Sequence, residues 1–261
     1  MIEAKVIYRP LTIEDLQSDT LEEVQRQAWV IPDITIVPTH LFQAVCKYEA
    51  GLVIGALVDG ELIGFILALA TGDRNIQHIH QIGVLPSWQG KMQGKGLGIG
   101  YGLFRCYQRV ALQKGIKEVN WTFDPLLGQN ANLYFHKIAG VANHYEPALY
   151  GETSEEGIYG KRPTDRLFVR WQLEESAKRP AWSLEEIRSL PIVSSPDGLD
   201  GGIYFRVEIP PDVKGMTDED ACESMLRVRE IFTAAFEQGY QIVDFLHVRD
   251  GEGSRNFYLF G

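Results

Sequence analysis

Residues 77–102 read QHIHQIGVLPSWQGKMQGKGLGIGYG, and the fold turns on them. Gln77 to Leu85 is a short apolar stretch with strand character, and Pro86 stops it. Gly94, Gly96, Gly98, Gly100 and Gly102 then fall on alternate positions, and a helical pattern follows from Tyr101 to Lys114. A strand that turns through glycines into a helix start is a phosphate-binding device. Glycines let the backbone approach the ligand, and the first amides of the helix point at it unpaired.

Spacing excludes two nucleotide motifs. A P-loop needs four residues before its Gly-Lys pair and a Ser or Thr after it. Gly90 has three residues before Gly94-Lys95, and Gly96 follows the lysine. The dinucleotide fingerprint needs a glycine three positions beyond Gly-x-Gly, where this chain has Ile99, Tyr101 or Leu103.

Outward from this stretch, the expected strands are Lys5–Arg9, Leu52–Val58, Leu62–Leu69, Ile116–Phe123, Val141–Tyr150 and Arg166–Leu173. Expected helices are a Thr12-capped one running to about Trp29, then Thr39–Tyr48 and Gln129–Ala139. Asp59-Gly60 is a hairpin turn signal. The order β-α-α-β-β-β-α-β-α-β-β gives an α/β (α+β) class, a mixed sheet with helices on its faces. Residues 174–196 read as a polar linker with one short helix. Residues 197–261 read strand, helix, strand, strand, a small C-terminal βαββ subdomain, with the helix from Thr217 to Gln238.

The composition is that of a soluble globular chain, and no apolar run approaches the ~20 residues of a membrane span. No basic and apolar leader opens the sequence, and three scattered cysteines suit a reducing cytoplasm and form no metal spacing. The net charge of −10 argues against nucleic acid. From Glu174 onward there are 17 acidic and 9 basic residues. The preceding part, with 18 and 16, is near neutral and does not repel an anion.

The fitting pattern is Gln/Arg-x-x-Gly-x-Gly/Ala between the fourth strand and the third helix. With the element order, the Val84-Leu85-Pro86 strand exit and a later Asn-and-aromatic helix before a glycine, residues Lys5 to Leu173 resemble the GNAT superfamily of acyl-CoA N-acyltransferases. The resemblance implies a domain over 1–173 with a mixed, mostly antiparallel sheet. It also implies acetyl-CoA or another acyl-CoA as co-substrate, no metal, and a small-molecule amine or amino acid as acceptor. Loop amides would bind the CoA pyrophosphate, from Gln93, Gly94, Lys95, Gly96, Leu97, Gly98, Ile99 and Gly100. Two registers are open, one starting at Gln93 and one at Lys95. The second makes residues 89–94 an insertion.

Acyl transfer needs a base for the amine, a donor for the tetrahedral oxyanion and a proton for the thiolate. His78 and His80 sit at i and i+2, so strand alternation puts both on one face with Ile82 and Val84, and Gln77, Ile79, Gln81 and Gly83 on the other. His80 is the candidate base. The resemblance places the oxyanion amide and a strand bulge near Gly83 or Val84, with Ile82, Gly83 and Val84 along the pantetheine. It aligns His136 with the family's thiol-protonating tyrosine. Tyr134, two residues earlier, is the other candidate, about 200° away on a helix. Asn130 and Asn132 open that helix, as a CoA contact or as caps. Asp124 either orients the amine or starts a turn. The C-terminal segment fits a lid, a pocket wall or a homodimer interface. The reading from a different class is a CoA-binding regulatory module, which would bind CoA but lose no activity in H80A or H136A. A larger acyl donor such as succinyl-CoA is also open.

Overall fold

A computed structural model describes residues 5–17, 20–29, 33–90, 92–93, 97–151, 162–174, 182–250 and 253–261. The chain divides into two compact units, one running to Asn120 and the other starting at Trp121.

The first unit holds β1 (Ile7–Pro10), α1 (Thr20–Trp29), α2 (Thr39–Lys47), β2 (Gly51–Val58), β3 (Glu61–Ala70) and β4 (Ile76–Val84). A ribbon of β5 (Met92–Gln93) and β6 (Leu97–Gly98), α3 (Ile99–Gln113) and the first half of β7 (Glu118–Phe123) complete it. The sheet order is β1-β2-β3-β4-β7; the first three pairings are antiparallel and the last is parallel. Asp59 and Gly60 both take positive φ, 51° and 88°, as a two-residue hairpin turn requires. One face of the sheet buries Phe65 and Leu67 of β3 against Leu21 and Val24 of α1 and Phe42 and Val45 of α2. The expected Thr12-capped helix is replaced by a turn. The carboxylate of Asp15 accepts two bonds from Arg9, at 2.6 and 2.7 Å, and one from the Thr12 amide at 2.8 Å. This closes the chain into a short 3-10 turn, Glu14–Leu16, and α1 begins only at Thr20.

The second unit holds α4 (Gly128–Ala131), continued by a π-helical turn over Asn132–Lys137, then β8 (Val141–Glu146), β9 (Arg166–Gln172) and α5 (Leu184–Ser189). The C-terminal part follows the expected order as β10 (Phe205–Ile209), α6 (Asp218–Glu237), β11 (Ile242–Asp250) and β12 (Gly253–Phe260). These strands join β8 and β9 in one antiparallel run, β9-β8-β11-β12-β10. Ala221, Met225, Val228, Ile231 and Phe232 form the buried stripe of α6, with Thr217 capping its N-terminus through the Asp220 amide. Phe232 meets Tyr145, Tyr258 and Phe260 edge-on. No helix among the described residues is long and apolar enough to cross a membrane.

Asp165, fully buried, ties this unit together. It accepts two bonds from Arg229 of α6, at 2.6 and 2.7 Å, one from the Tyr145 hydroxyl of β8 at 2.8 Å, and one from the Ala148 amide at 3.0 Å. The last bond explains why β8 stops at Glu146, short of the expected Tyr150. Ala148 takes φ +46° to aim its amide at the carboxylate. Burial pushes the Asp165 pKa up, but Arg229, the Ala148 amide and the Tyr145 hydroxyl outweigh it and bring it below the ordinary value. Stability from a depressed carboxylate is present above the unfolded value of about 3.9 and is lost as pH falls through the folded value. Asp165→Asn should therefore cost roughly 3 kcal/mol at neutral pH. It should also remove part of the acid limb of stability below about pH 4. Urea titrations of both proteins across pH check this; equal stabilities at pH 7 would contradict it.

Candidate active site

β4 carries the first set of candidate residues, and its register sets which way they face. Leu67 of β3 pairs with Gln81, while the next residue, Ala68, pairs with Ile79. His80 is thus an extra residue, a bulge, and the alternation reverses across it. Leu69↔His78, Leu67↔Gln81 and Phe65↔Gly83 place His78, Gln81 and Gly83 on the face of the α1–α2 core. Gln77, Ile79, Ile82 and Val84 take the other face, where the Gln77 carboxamide accepts from the buried Tyr107 hydroxyl of α3 at 2.9 Å. The face expected to hold His78, His80, Ile82 and Val84 together is therefore split. The bulge lies at His80, not near Gly83. Gly83 answers to packing: a Cβ there would sit 3.1 Å from the Phe65 ring and 3.5 Å from Trp29.

His78 closes the β4–β7 ladder opposite Asn120. Its Nδ1 donates to the Asn120 Oδ1 at 2.7 Å, which leaves Nε2 as the basic nitrogen. Asn120 lies 42 residues away, on the face of β7 opposite Val119 and Trp121, and only strand pairing reveals the contact. His80 is solvent-exposed, yet desolvation by the protein around it, and then the neighbouring His78, lower its pKa. It is held neutral, the form that can accept a proton.

The strand-to-helix connection is longer than a tight turn because it folds into the β5–β6 ribbon, with Met92↔Gly98 and Gln93↔Leu97 paired. Gly94, Lys95 and Gly96 lie outside the described residues. Helix α3 begins at Ile99 with Gly98 as its cap residue, which has no side chain to bond the first amides. Gly98 and Gly100, rather than Gly96 and Gly98, straddle the helix start. No acidic residue occupies the first turn, so the positive end of the helix dipole is not offset there. Gly102 has a different role: a Cβ there would come 2.3 Å from the ring of Tyr8.

In the second unit, the expected helix Gln129–Ala139 is two pieces. α4 ends at Ala131, and an i→i+5 turn such as Ile138 N–H to Leu133 C=O takes over, a wide turn often found at functional sites. Leu127, not an asparagine, is the cap residue; Asn130 lies within α4 and Asn132 starts the wide turn. Tyr134 is 3% exposed, its ring edge-on to Trp121 and Phe123 at 5.2 and 5.0 Å. The His136 side chain is half exposed, with Nδ1 3.1 Å from Oδ1 of Asp244 on β11. Asp124 begins the turn before α4, accepting from the Leu126 amide at 2.9 Å, and is locked by buried Arg162 at 2.7 Å. That lock leaves it a structural part of the turn. The last strand shapes the same segment: the Tyr258 hydroxyl donates to the Pro125 carbonyl at 2.7 Å, and the Phe135 and Tyr258 rings meet at 5.7 Å.

A bulged strand, a glycine-flanked and uncapped helix start, and a short aromatic helix occur here in fixed chain order. The family model described as the acetyltransferase (GNAT) family matches residues 18–140. This stretch is a GNAT domain. Two solved structures show the same fold. One is yncA from Salmonella typhimurium with its cofactor acetyl-CoA, at TM-score 0.50 and 20% identity, covering 69% of this chain and 100% of that one. The other is the ribosomal-protein-S18-alanine N-acetyltransferase from Escherichia coli, at TM-score 0.50 and 12% identity, covering 68% and 100%. No curated protein matches the chain. Among the described residues, no group of three or more His, Cys, Asp or Glu is placed to hold a metal ion.

The fit of Gly128 under the last strand can be tested directly. A Cβ at Gly128 would come 2.4 Å from the Asn256 amide nitrogen. Asn256 is buried and bonded to His247 at 2.7 Å, so it has little room to yield. Gly128→Ala should cost about 2 kcal/mol by overpacking, whereas an alanine normally gains on glycine in a helix. Thermal denaturation decides: an unchanged or raised Tm contradicts the packing.

Proposed function

We propose that the protein transfers an acyl group, acetyl by default, from acyl-CoA to the amine of a small molecule or amino acid by direct attack. The observation that carries this reading is the N-terminus of α3. Within a GNAT domain, it follows a bulged strand, is flanked by Gly98 and Gly100, and has neither a side-chain cap nor an acidic first turn. Backbone amides so arranged suit a pyrophosphate, and Ile82, Gly83 and Val84 of β4 would run along the pantetheine. The remaining loop residues proposed to contact the donor are Gln93 to Leu97, with Asn130 or Asn132 along the CoA arm. The solved relative with acetyl-CoA supports acetyl-CoA as donor.

The chemistry is assigned residue by residue. His80, held neutral, takes the proton of the acceptor amine as its nitrogen attacks the thioester carbonyl. A backbone N–H of Gly83 or Val84 stabilises the oxyanion. His136 then gives a proton to the departing thiolate. Its half-exposed imidazole suits this better than the Tyr134 hydroxyl, whose ring lies within the aromatic packing of Trp121 and Phe123. The reaction is placed in the cytoplasm, with no nucleic acid or membrane involved.

The test is CoA release, followed with a thiol reagent, across a panel of amines and amino acids with acetyl-CoA and larger acyl-CoA donors. His80→Ala should lower kcat/KM by about 100-fold. For the wild type, the acid-side fall in kcat/KM should lie below the ordinary imidazole value of about 6.5, because the His80 pKa is lowered from it. His78→Ala, which removes one of the two causes of the depressed His80 pKa, should shift that limb toward higher pH. No turnover with any pair, together with no CoA binding by calorimetry, would sink the proposal. CoA binding with no activity to lose in either histidine variant would identify a non-catalytic module.

A further inference from the structure

Among the described residues, several contacts reach from the C-terminal strands to the segment that carries His136. Tyr258 holds the Pro125 carbonyl, Asn256 lies against Gly128, the Tyr258 ring meets Phe135, and Asp244 meets His136 itself. The last of these differs from the others in kind, because it joins two groups that can share a proton. Asp244 sits at an irregularity in β11, where the pairing with β12 jumps from Ile242↔Phe260 to Asp244↔Leu259 and skips Val243. Its Oδ1 also accepts from the Phe245 amide at 2.8 Å, which fixes the carboxylate at the head of the strand. Its side chain is 14% exposed.

We infer that Asp244 is a positioning residue for His136, supplied by the C-terminal segment to the chemistry of the GNAT domain. The inference rests on the acid role proposed above for His136. The carboxylate accepts the Nδ1–H, so the neutral ring keeps its proton on Nδ1 and the imidazolium gives up the one on Nε2. In the step itself the C–S bond of the tetrahedral intermediate breaks. The proton leaves Nε2 for the sulfur, the products are the amide and the CoA thiol, and His136 is left neutral with Nδ1–H still bonded to Asp244. A carboxylate behind the ring stabilises the imidazolium before transfer and holds the ring plane throughout. This gives the C-terminal segment a chemical task in addition to completing the sheet.

Three variants of the full chain test this: Asp244→Asn, Asp244→Glu and His136→Ala. Asp244→Asn should lower kcat by about ten-fold with KM for the acyl donor unchanged, and should change the 15N imidazole signals of His136 that report its tautomer. Asp244→Glu should recover most of the rate. His136→Ala should lose about 100-fold, the contribution of a positioned acid. Full activity in His136→Ala would overturn the acid role, and with it the inference. A slow His136→Ala with an unimpaired Asp244→Asn and unchanged His136 signals would overturn the inference alone. Equal losses in Asp244→Asn and Asp244→Glu with a lowered Tm would show that Asp244 serves stability only, and would also overturn it.

Discussion

A β-strand shows its side chains alternately to two faces, and β4 breaks that rule once, at His80. Much of the first unit's side-chain arrangement depends on this single extra residue. Before it, Gln77 and Ile79 face α3; after it, Gln81 and Gly83 face α1 and α2 instead. Without the bulge, Gly83 would face away from Phe65 and Trp29, and a larger residue would be tolerated there. With it, the strand can pass close under α1, and His80 is freed from the regular ladder. The two histidines also come under different controls. Asn120 fixes the ring of His78 by a hydrogen bond, and the protein around His80 sets its charge state.

The second unit depends on buried polar groups rather than on strand parity. Asp165 joins β8, the turn after it and α6 through four hydrogen bonds, and Asp124 pairs with Arg162 out of solvent. Such groups are costly unless fully partnered, so each fixes the backbone around it tightly. The aromatic residues Phe232, Tyr258 and Phe260 fill the space between these locks. Asp124 and Tyr258 reach the segment from Pro125 to Lys137, which departs from a plain α-helix. It is shaped by what it packs on more than by its own propensity.

The sequence was most legible where periodicity and turn chemistry act locally. The hairpin at Asp59-Gly60, the buried stripe of α6 and the strand–glycine–helix order were all readable, and the last was enough to point to the GNAT family. Readings failed where one residue changed the count. The bulge at His80 and the wide turn at Asn132–Lys137 each shift a period by one, and no local signal marks them. Thr12 looked like a helix cap because the competing demand on Asp15, from Arg9, is invisible in a linear pattern. Gly102 looked like part of a phosphate loop, although its reason is the ring of Tyr8 on β1, which lies directly against it. Asn120 and Asp244 were missed for a simpler reason: they meet their histidines across 42 and 108 residues.

That separation bears on how the molecule folds. The contact between Tyr258 and Pro125 closes a loop of 133 residues, and loops of this size are entropically costly and tend to close late. During synthesis, the α3 end of the chain has all its partners long before β12 leaves the ribosome. The helix bearing His136 does not. A nascent chain would therefore complete the surroundings of α3 first and those of the segment bearing His136 last.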